Sequence, residues 1–130
     1  SQNARVSLSE LATLPMILLD LPGTEAYFRG LFQAQGLDLN ITHSSKSAAV
    51  VRGLVGAGLG YSILNICGQE DRSGALGYIA RPVLGDMDAP RFGVSYREAA
   101  EQSPLVLSVL RACTTLNEQG AFKAVVASAE

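Results

Sequence analysis

Two turns between a predicted strand and a predicted helix carry the groups best suited to bind a small anion. Pro22-Gly23-Thr24 follows the apolar run Met16–Leu19, and Ser44-Ser45 follows a second predicted strand. The first amides of a helix have no intrahelical acceptor and lie at the positive end of the helix dipole. Such amides favour a phosphate or a carboxylate. We therefore predict a site for a small carboxylate at these turns.

A purely structural role is the alternative for the same side chains. Serine and threonine are ordinary N-cap residues, so Thr24, Ser44 and Ser45 would then only cap their own helices. Tyr61, Asn65 and Arg29 are weaker candidates for ligand contact, because a tyrosine on a strand usually packs and an arginine on a helix is usually solvated. The residues alone leave both interpretations open.

The elements that position these turns alternate regularly along the chain. Apolar spacing and turn residues predict helices over Val6–Leu14, from Thr24 to Gly36 and from Ala48 to Gly56, with strands at Met16–Leu19, Leu37–Thr42 and Tyr61–Leu64,. In the third helix Ala48, Val51, Leu54 and Val55 form the apolar stripe, while Lys46 and Arg52 are expected in solvent. This order predicts an α/β fold with an open, mostly parallel sheet and helices on both faces. Ligands of such sheets bind at the carboxyl ends of the strands.

Two motif-like stretches do not support an enzyme. Gly56-Ala-Gly58-Leu-Gly60 ends a helix, whereas a dinucleotide-binding loop leaves a strand and opens a helix, so no cofactor is predicted,. Ser62 lies in part of a nucleophile-elbow pattern, but the second glycine and a later histidine are missing. A small hydrolase that uses Ser62, or the Asp86 and Asp88 pair, stays the alternative to a binding protein. That pair is expected to face water rather than to hold a cation.

The second half of the chain has a less regular pattern. Ile66–Gly77 reads as a surface loop with room for a helical turn, and Tyr78–Val83 and Arg91–Tyr96 are strand candidates,. Ser103 or Pro104 opens a long helix that Gly120 closes. Its apolar stripe consists of Val106, Val109, Leu110, Cys113 and Leu116.

Composition limits the class of protein. The 130 residues carry a net charge of −2 and are 48% hydrophobic, which indicates one globular domain over residues 1–130,. This charge argues against a strong grip on nucleic acid, and no apolar run is long enough for a membrane span. Cys67 and Cys113 match no metal or redox spacing, so we expect reduced thiols in a cytoplasmic protein.

Several stretches taken together resemble one protein family. LSELATLPMILLD, PGTEAYFRGLFQAQGLDLNITHSS, VVRGLVGAGLGYSIL and PRFGVSYREAAEQSPLVLSVL, in this order, are similar to the effector-binding region of LysR-type transcriptional regulators. The resemblance runs from about Ser7 to Leu116. One departure is Asn65, which stands where the family often has proline.

The resemblance implies the function of the whole protein. Family members fold this region as two α/β subdomains like those of a periplasmic binding protein, with a small effector in the cleft between them. This chain resembles the second subdomain, and residues 91–120 resemble the strand and helix that return to the first. The resemblance implies a non-catalytic sensor that forms homo-oligomers and contacts DNA only through a separate N-terminal domain. A pure association module is a further alternative.

Overall fold

The computed structural model describes residues 5–65, 67–85 and 93–123. Five α-helices and two β-strands are assigned within these ranges, together with a 3-10 turn at Glu98–Ala100. In chain order they are α1 (Leu8–Ala12), β1 (Met16–Leu19), α2 (Thr24–Gln33), β2 (Ile41–Ser45), α3 (Ala48–Gly56), α4 (Gln69–Ser73) and α5 (Pro104–Glu118).

Strand β1 lies between two neighbours that run in its own direction. On one side it pairs in parallel with β2, so that Leu19 lies opposite Ser45. On the other side Met16 forms a parallel bridge with Tyr61, where the Ile17 N–H donates to the Tyr61 carbonyl at 2.7 Å. The predicted parallel arrangement is therefore confirmed. The carboxyl ends of β1 and β2 share one edge of the sheet.

Helices pack on both faces of β1. The side chains of this strand point alternately to one face and to the other. Met16 and Leu18 pack with α1 and α2 in a cluster that also contains Leu8, Leu11, Phe28, Phe32 and Leu39. Ile17 points to the opposite face, where α3 packs on β1 and where Val51 is fully buried. A strand that is buried on both faces explains the unbroken apolar run MILL.

The capping of the first helix follows the sequence closely. The Ser7 hydroxyl accepts from the Glu10 N–H, and the Glu10 carboxylate accepts from the Ser7 N–H at 2.8 Å. These two hydrogen bonds form a capping box with Ser7 as the N-cap,.

The second strand lies four residues later than predicted. We expected Leu37–Thr42, but Gly36 adopts a φ of +70° and the Leu37 N–H still donates to the Phe32 carbonyl, which closes α2,. The strand consists mainly of the polar residues Thr42–Ser45. Backbone pairing with β1 does not depend on apolar side chains at this edge of the sheet.

Three other strand predictions are not met. The segment Tyr61–Leu64 leaves β1 after the single Tyr61 bridge, and Ile63 packs against the core cluster instead. Among the described residues, Tyr78–Val83 makes one bridge, between Val83 and Val6, and Pro82 has no N–H with which to extend a ladder,. Residues 93–96 form no strand, and Arg91 and Phe92 lie outside the described residues.

The long C-terminal helix forms where the sequence predicted it. Pro104 occupies its first turn, and Gly120 follows its end with a φ of +74°. None of its residues is buried, and Leu105 is 74% exposed. The predicted apolar stripe of α5 is therefore only partly covered. Val109 and Leu116 are exposed, whereas Val106, Leu110 and Cys113 are half-buried.

Two further predictions concern cysteines and membranes. Cys67 and Cys113 are half-buried free thiols, as expected. Within the described ranges, no helix combines the length and apolar character that a membrane crossing requires.

Candidate functional site

The turn between β1 and α2 is held together by Thr24, although not in the predicted way. Gly23, with a φ of +82°, is the N-cap of α2, and Thr24 is the first helical residue. The Thr24 hydroxyl lies 2.8 Å from the carbonyl oxygens of Leu19 and Leu21 and accepts from the Leu21 N–H. The prediction that Thr24 caps α2 is wrong, because its hydroxyl is used within the turn.

This arrangement leaves the first turn of α2 without a capping side chain. Glycine has no side-chain oxygen, so the partial positive charge of the helix start is not offset by its N-cap residue. An acceptor from outside the helix can take that place. The start of α2 therefore has no side-chain cap, although the acidic Glu25 lies in its first turn.

A groove of about 570 Å³ opens at this end of β1, and we call it the rim groove. It is lined by Asp20, Leu21, Pro22, Gly23, Glu25, Ala26, Arg29 and Lys46. Residues from the β1–α2 turn form one side, and Lys46, which follows β2, forms the other. The two turns come together because the Asp20 N–H donates to the Ser45 carbonyl at 2.9 Å.

The charges of the rim groove are only partly paired. Arg29 forms an exposed ion pair with Glu25 at 2.9 Å, one helical turn apart on α2. Lys46 is exposed and forms no ion pair within the part of the chain that the structure describes. Lys46 therefore supplies an available positive charge beside the open start of α2, with Asp20 as the nearby acidic group of the same groove.

Ser44 and Ser45 lie next to the rim groove but do not line it. Both belong to β2, opposite Leu18 and Leu19, so the alternative in which they cap the next helix is wrong. Ser45 Oγ accepts from the Ser47 N–H, and Ser47 is the residue that caps α3. The predicted site residues include this turn but not Lys46, which directly follows the two serines at the end of β2.

Tyr61 lies on the other side of β1, away from the rim groove. With Ser62 it lines a cavity of about 220 Å³ beside α3, which we call the α3 cavity. Burial raises the pKa of Tyr61 to about 12. Asn65 is exposed and lines neither the groove nor the cavity. The predicted site residues thus divide between two places.

A buried carboxylate with three polar partners lies beside the α3 cavity and was not predicted. Asp71, only 4% exposed, pairs with Arg52 at 3.0 Å and accepts from the Gly68 N–H and the Tyr78 hydroxyl. Burial alone would raise the pKa of Asp71, but the hydrogen bonds from Tyr78, Arg52 and Gly68 outweigh it and lower that pKa. Arg52 was expected in solvent, but its side chain is half-buried, because its guanidinium pairs with the buried Asp71.

The groups needed for metal binding or hydrolysis do not come together in the described ranges. No group of three histidine, cysteine or acidic residues is placed to hold a metal there. His43 is exposed on β2 beside Thr42, while Ser62 Oγ is buried without a hydrogen-bond partner in the same ranges. Asp86 and Asp88 lie outside the described residues.

Comparison with known proteins gives one family. A model of the LysR substrate binding domain matches residues 1–117, which is most of the chain. No curated protein matches it.

Two solved structures from Pseudomonas aeruginosa are similar to part of the chain. HinK, a LysR family transcriptional regulator, is 50% identical over 48% of this chain, with a TM-score of 0.45. PA01 protein, a proposed regulator of the same family, is 51% identical over 47% of this chain, also with a TM-score of 0.45. The matches cover 21% and 22% of those chains, so this chain corresponds to about a fifth of each.

Proposed function

The chain belongs to the LysR substrate binding domain family, and from this we propose that it is the effector-sensing part of a transcription regulator. We further propose that the rim groove holds the acidic group of a small anionic metabolite. The protein would act by binding this effector, without catalysis, in the cytoplasm where its DNA target lies.

One observation carries the choice of the rim groove. The start of α2, whose N-cap Gly23 has no side chain, and the ammonium group of Lys46 line the same groove at the carboxyl end of β1. A helix start and a nearby cation both stabilise a carboxylate. The start of α3 offers less, because the Ser47 hydroxyl already accepts from the Val50 N–H.

The predicted ligand residues differ in their roles in this proposal, since some line the groove and others only support it. Pro22 and Gly23 line the groove, and Thr24 fixes the turn that presents them. Ser44 and Ser45 hold the adjacent strand end. Tyr61 and Asn65 would contact the effector only across the cleft of the complete protein, and we give them no direct role in the groove.

The rest of the regulator would complete the site. Residues 91–120 would return to a first subdomain and α5 would pack there, which is supported by the absence of any buried residue on α5. An exposed apolar helix needs a covering surface, either that subdomain or a second copy of the regulator. DNA contact would come from a separate segment of the regulator.

The proposal is tested by titrating the chain with acetate, succinate and benzoate while its melting temperature is measured. A ligand that binds only the folded chain raises the melting temperature with increasing concentration. We expect at least one carboxylate to do so in the wild-type chain, and its uncharged amide to have no effect.

Two charge variants locate the binding. Lys46→Gln should weaken carboxylate binding by about tenfold, the loss of one charge-assisted contact. Lys123→Gln removes a lysine beyond the end of α5 and should bind like the wild type. The double change Ser44→Ala and Ser45→Ala should give an intermediate loss. Equal binding by Lys46→Gln and the wild type would exclude the rim groove as the site.

A further inference from the structure

The α3 cavity combines apolar walls with polar groups that have no partners. Its apolar lining comes from two sides, with Val51 and Val55 on α3 and Ile63, Leu64 and Val83 on the facing segments. Its volume is about 220 Å³. An apolar protein cavity of about 150 Å³ is enough to hold benzene, so this one has room for a ring with one small substituent.

Two hydroxyl groups at the cavity are buried and unpaired. Tyr61 Oη and Ser62 Oγ have no hydrogen-bond partner among the residues that the structure describes. A buried polar atom without a partner is rare in folded proteins and costs stability. Each hydroxyl can both donate and accept, so either could pair with one polar group of a ligand.

The charged groups that line the cavity already interact with other groups of the protein. The Asp71 carboxylate is held by Arg52, Tyr78 and the Gly68 N–H. Arg81 also lines the cavity and is engaged in an interaction. A charged ligand would have to lose its water shell among mostly apolar side chains, and this favours an uncharged one,.

We propose that the α3 cavity is a second small-molecule site, which takes a neutral monocyclic aromatic compound with a hydroxyl or carbonyl group. Apolar walls would hold the ring, and the Tyr61 and Ser62 hydroxyls would pair with its polar substituent. The site is separate from the rim groove, because no residue lines both. Solvent can reach it on the side of Ile79, which is 47% exposed.

The test is calorimetric titration of the chain with phenol, benzene and benzoate. We expect saturable binding of phenol and benzene, with phenol the tighter. Benzoate, whose proposed site is the rim groove, should not displace phenol, because its charge disfavours the α3 cavity. Tyr61→Phe and Ser62→Ala should each weaken phenol binding by about threefold to tenfold. Neither should change benzene binding, because the apolar walls remain.

Three controls make the outcome decisive. Tyr27→Phe removes the hydroxyl of an exposed tyrosine on α2 and should bind phenol like the wild type. Lys46→Gln should also leave phenol binding unchanged, which separates this site from the rim groove. The melting temperature of each variant shows that it is folded. The proposal is overturned if phenol does not saturate, if both hydroxyl variants bind phenol like the wild type, or if benzoate displaces bound phenol.

Discussion

Arg52 Nε in the middle of α3 lies 3.0 Å from the carboxylate of Asp71 in the first turn of α4. Nineteen residues separate the two groups in the chain. Asp71 is buried and its pair with Arg52 is reinforced by the Tyr78 hydroxyl. This cluster fixes the loop after Tyr61 against α3 and forms part of the α3 cavity.

We expect Asp71→Asn to lower the free energy of unfolding by about 1–3 kcal/mol, since it leaves the Arg52 guanidinium without its counter-charge. Urea unfolding of the two proteins measures the difference. The control is Glu70→Gln, which removes an exposed carboxylate from the neighbouring position of α4 and should change stability by less than about 0.5 kcal/mol. Equal losses in both variants would contradict the assigned pair.

Acid should weaken the same cluster. The pKa of Asp71 is lowered in the folded chain from its ordinary value of 3.8, so the unfolded chain binds the proton more readily. The stabilisation is thus present above that value and lost as the pH falls through the folded pKa. In urea unfolding, the stability gap between the wild type and Asp71→Asn should stay constant down to about pH 4 and narrow as the pH falls further. A stability gap that widens as the pH falls would contradict the lowered pKa of Asp71.

Gly60 should tolerate no side chain, because a Cβ at this position would overlap the carbonyl oxygen of Pro15. The Tyr61 N–H donates to that same oxygen at 3.0 Å, so the close approach is part of the bridge to β1. Gly60→Ala should cost about 2 kcal/mol or more in thermal or urea unfolding. Gly30→Ala on α2 meets nothing within 4 Å and should be neutral or up to about 1 kcal/mol stabilising,.

Truncation of a side chain should cost far more stability in the core cluster than on α5. Phe32 is fully buried in the core cluster, so Phe32→Ala should lower the free energy of unfolding by about 3–5 kcal/mol,. Leu116 on α5 is 41% exposed, and Leu116→Ala should change it by less than about 0.5 kcal/mol,. A large loss for Leu116→Ala, measured by the same urea unfolding, would show that α5 is covered in solution.

The order of the elements could be predicted from the sequence because its signals are local. The run MILL, the capping residues of α1 and the proline and glycine that bound α5 act within a few residues. They were sufficient to predict the parallel arrangement of β1 and β2, whose carboxyl ends share one edge of the sheet. The family match confirmed the fold class.

Which polar groups meet was decided only by the tertiary structure. Thr42–Ser45 form a strand because β1 offers free backbone groups beside them, which no periodicity of their own indicates. Lys46 reaches the rim groove because this strand extends to Ser45, the residue directly before it. The contact between Arg52 and Asp71 depends on how a loop returns to α3, and the chain has no short-range pattern for it. Local propensity thus determined the helices and the strand β1, whereas packing between distant segments determined which charged groups and hydroxyls pair.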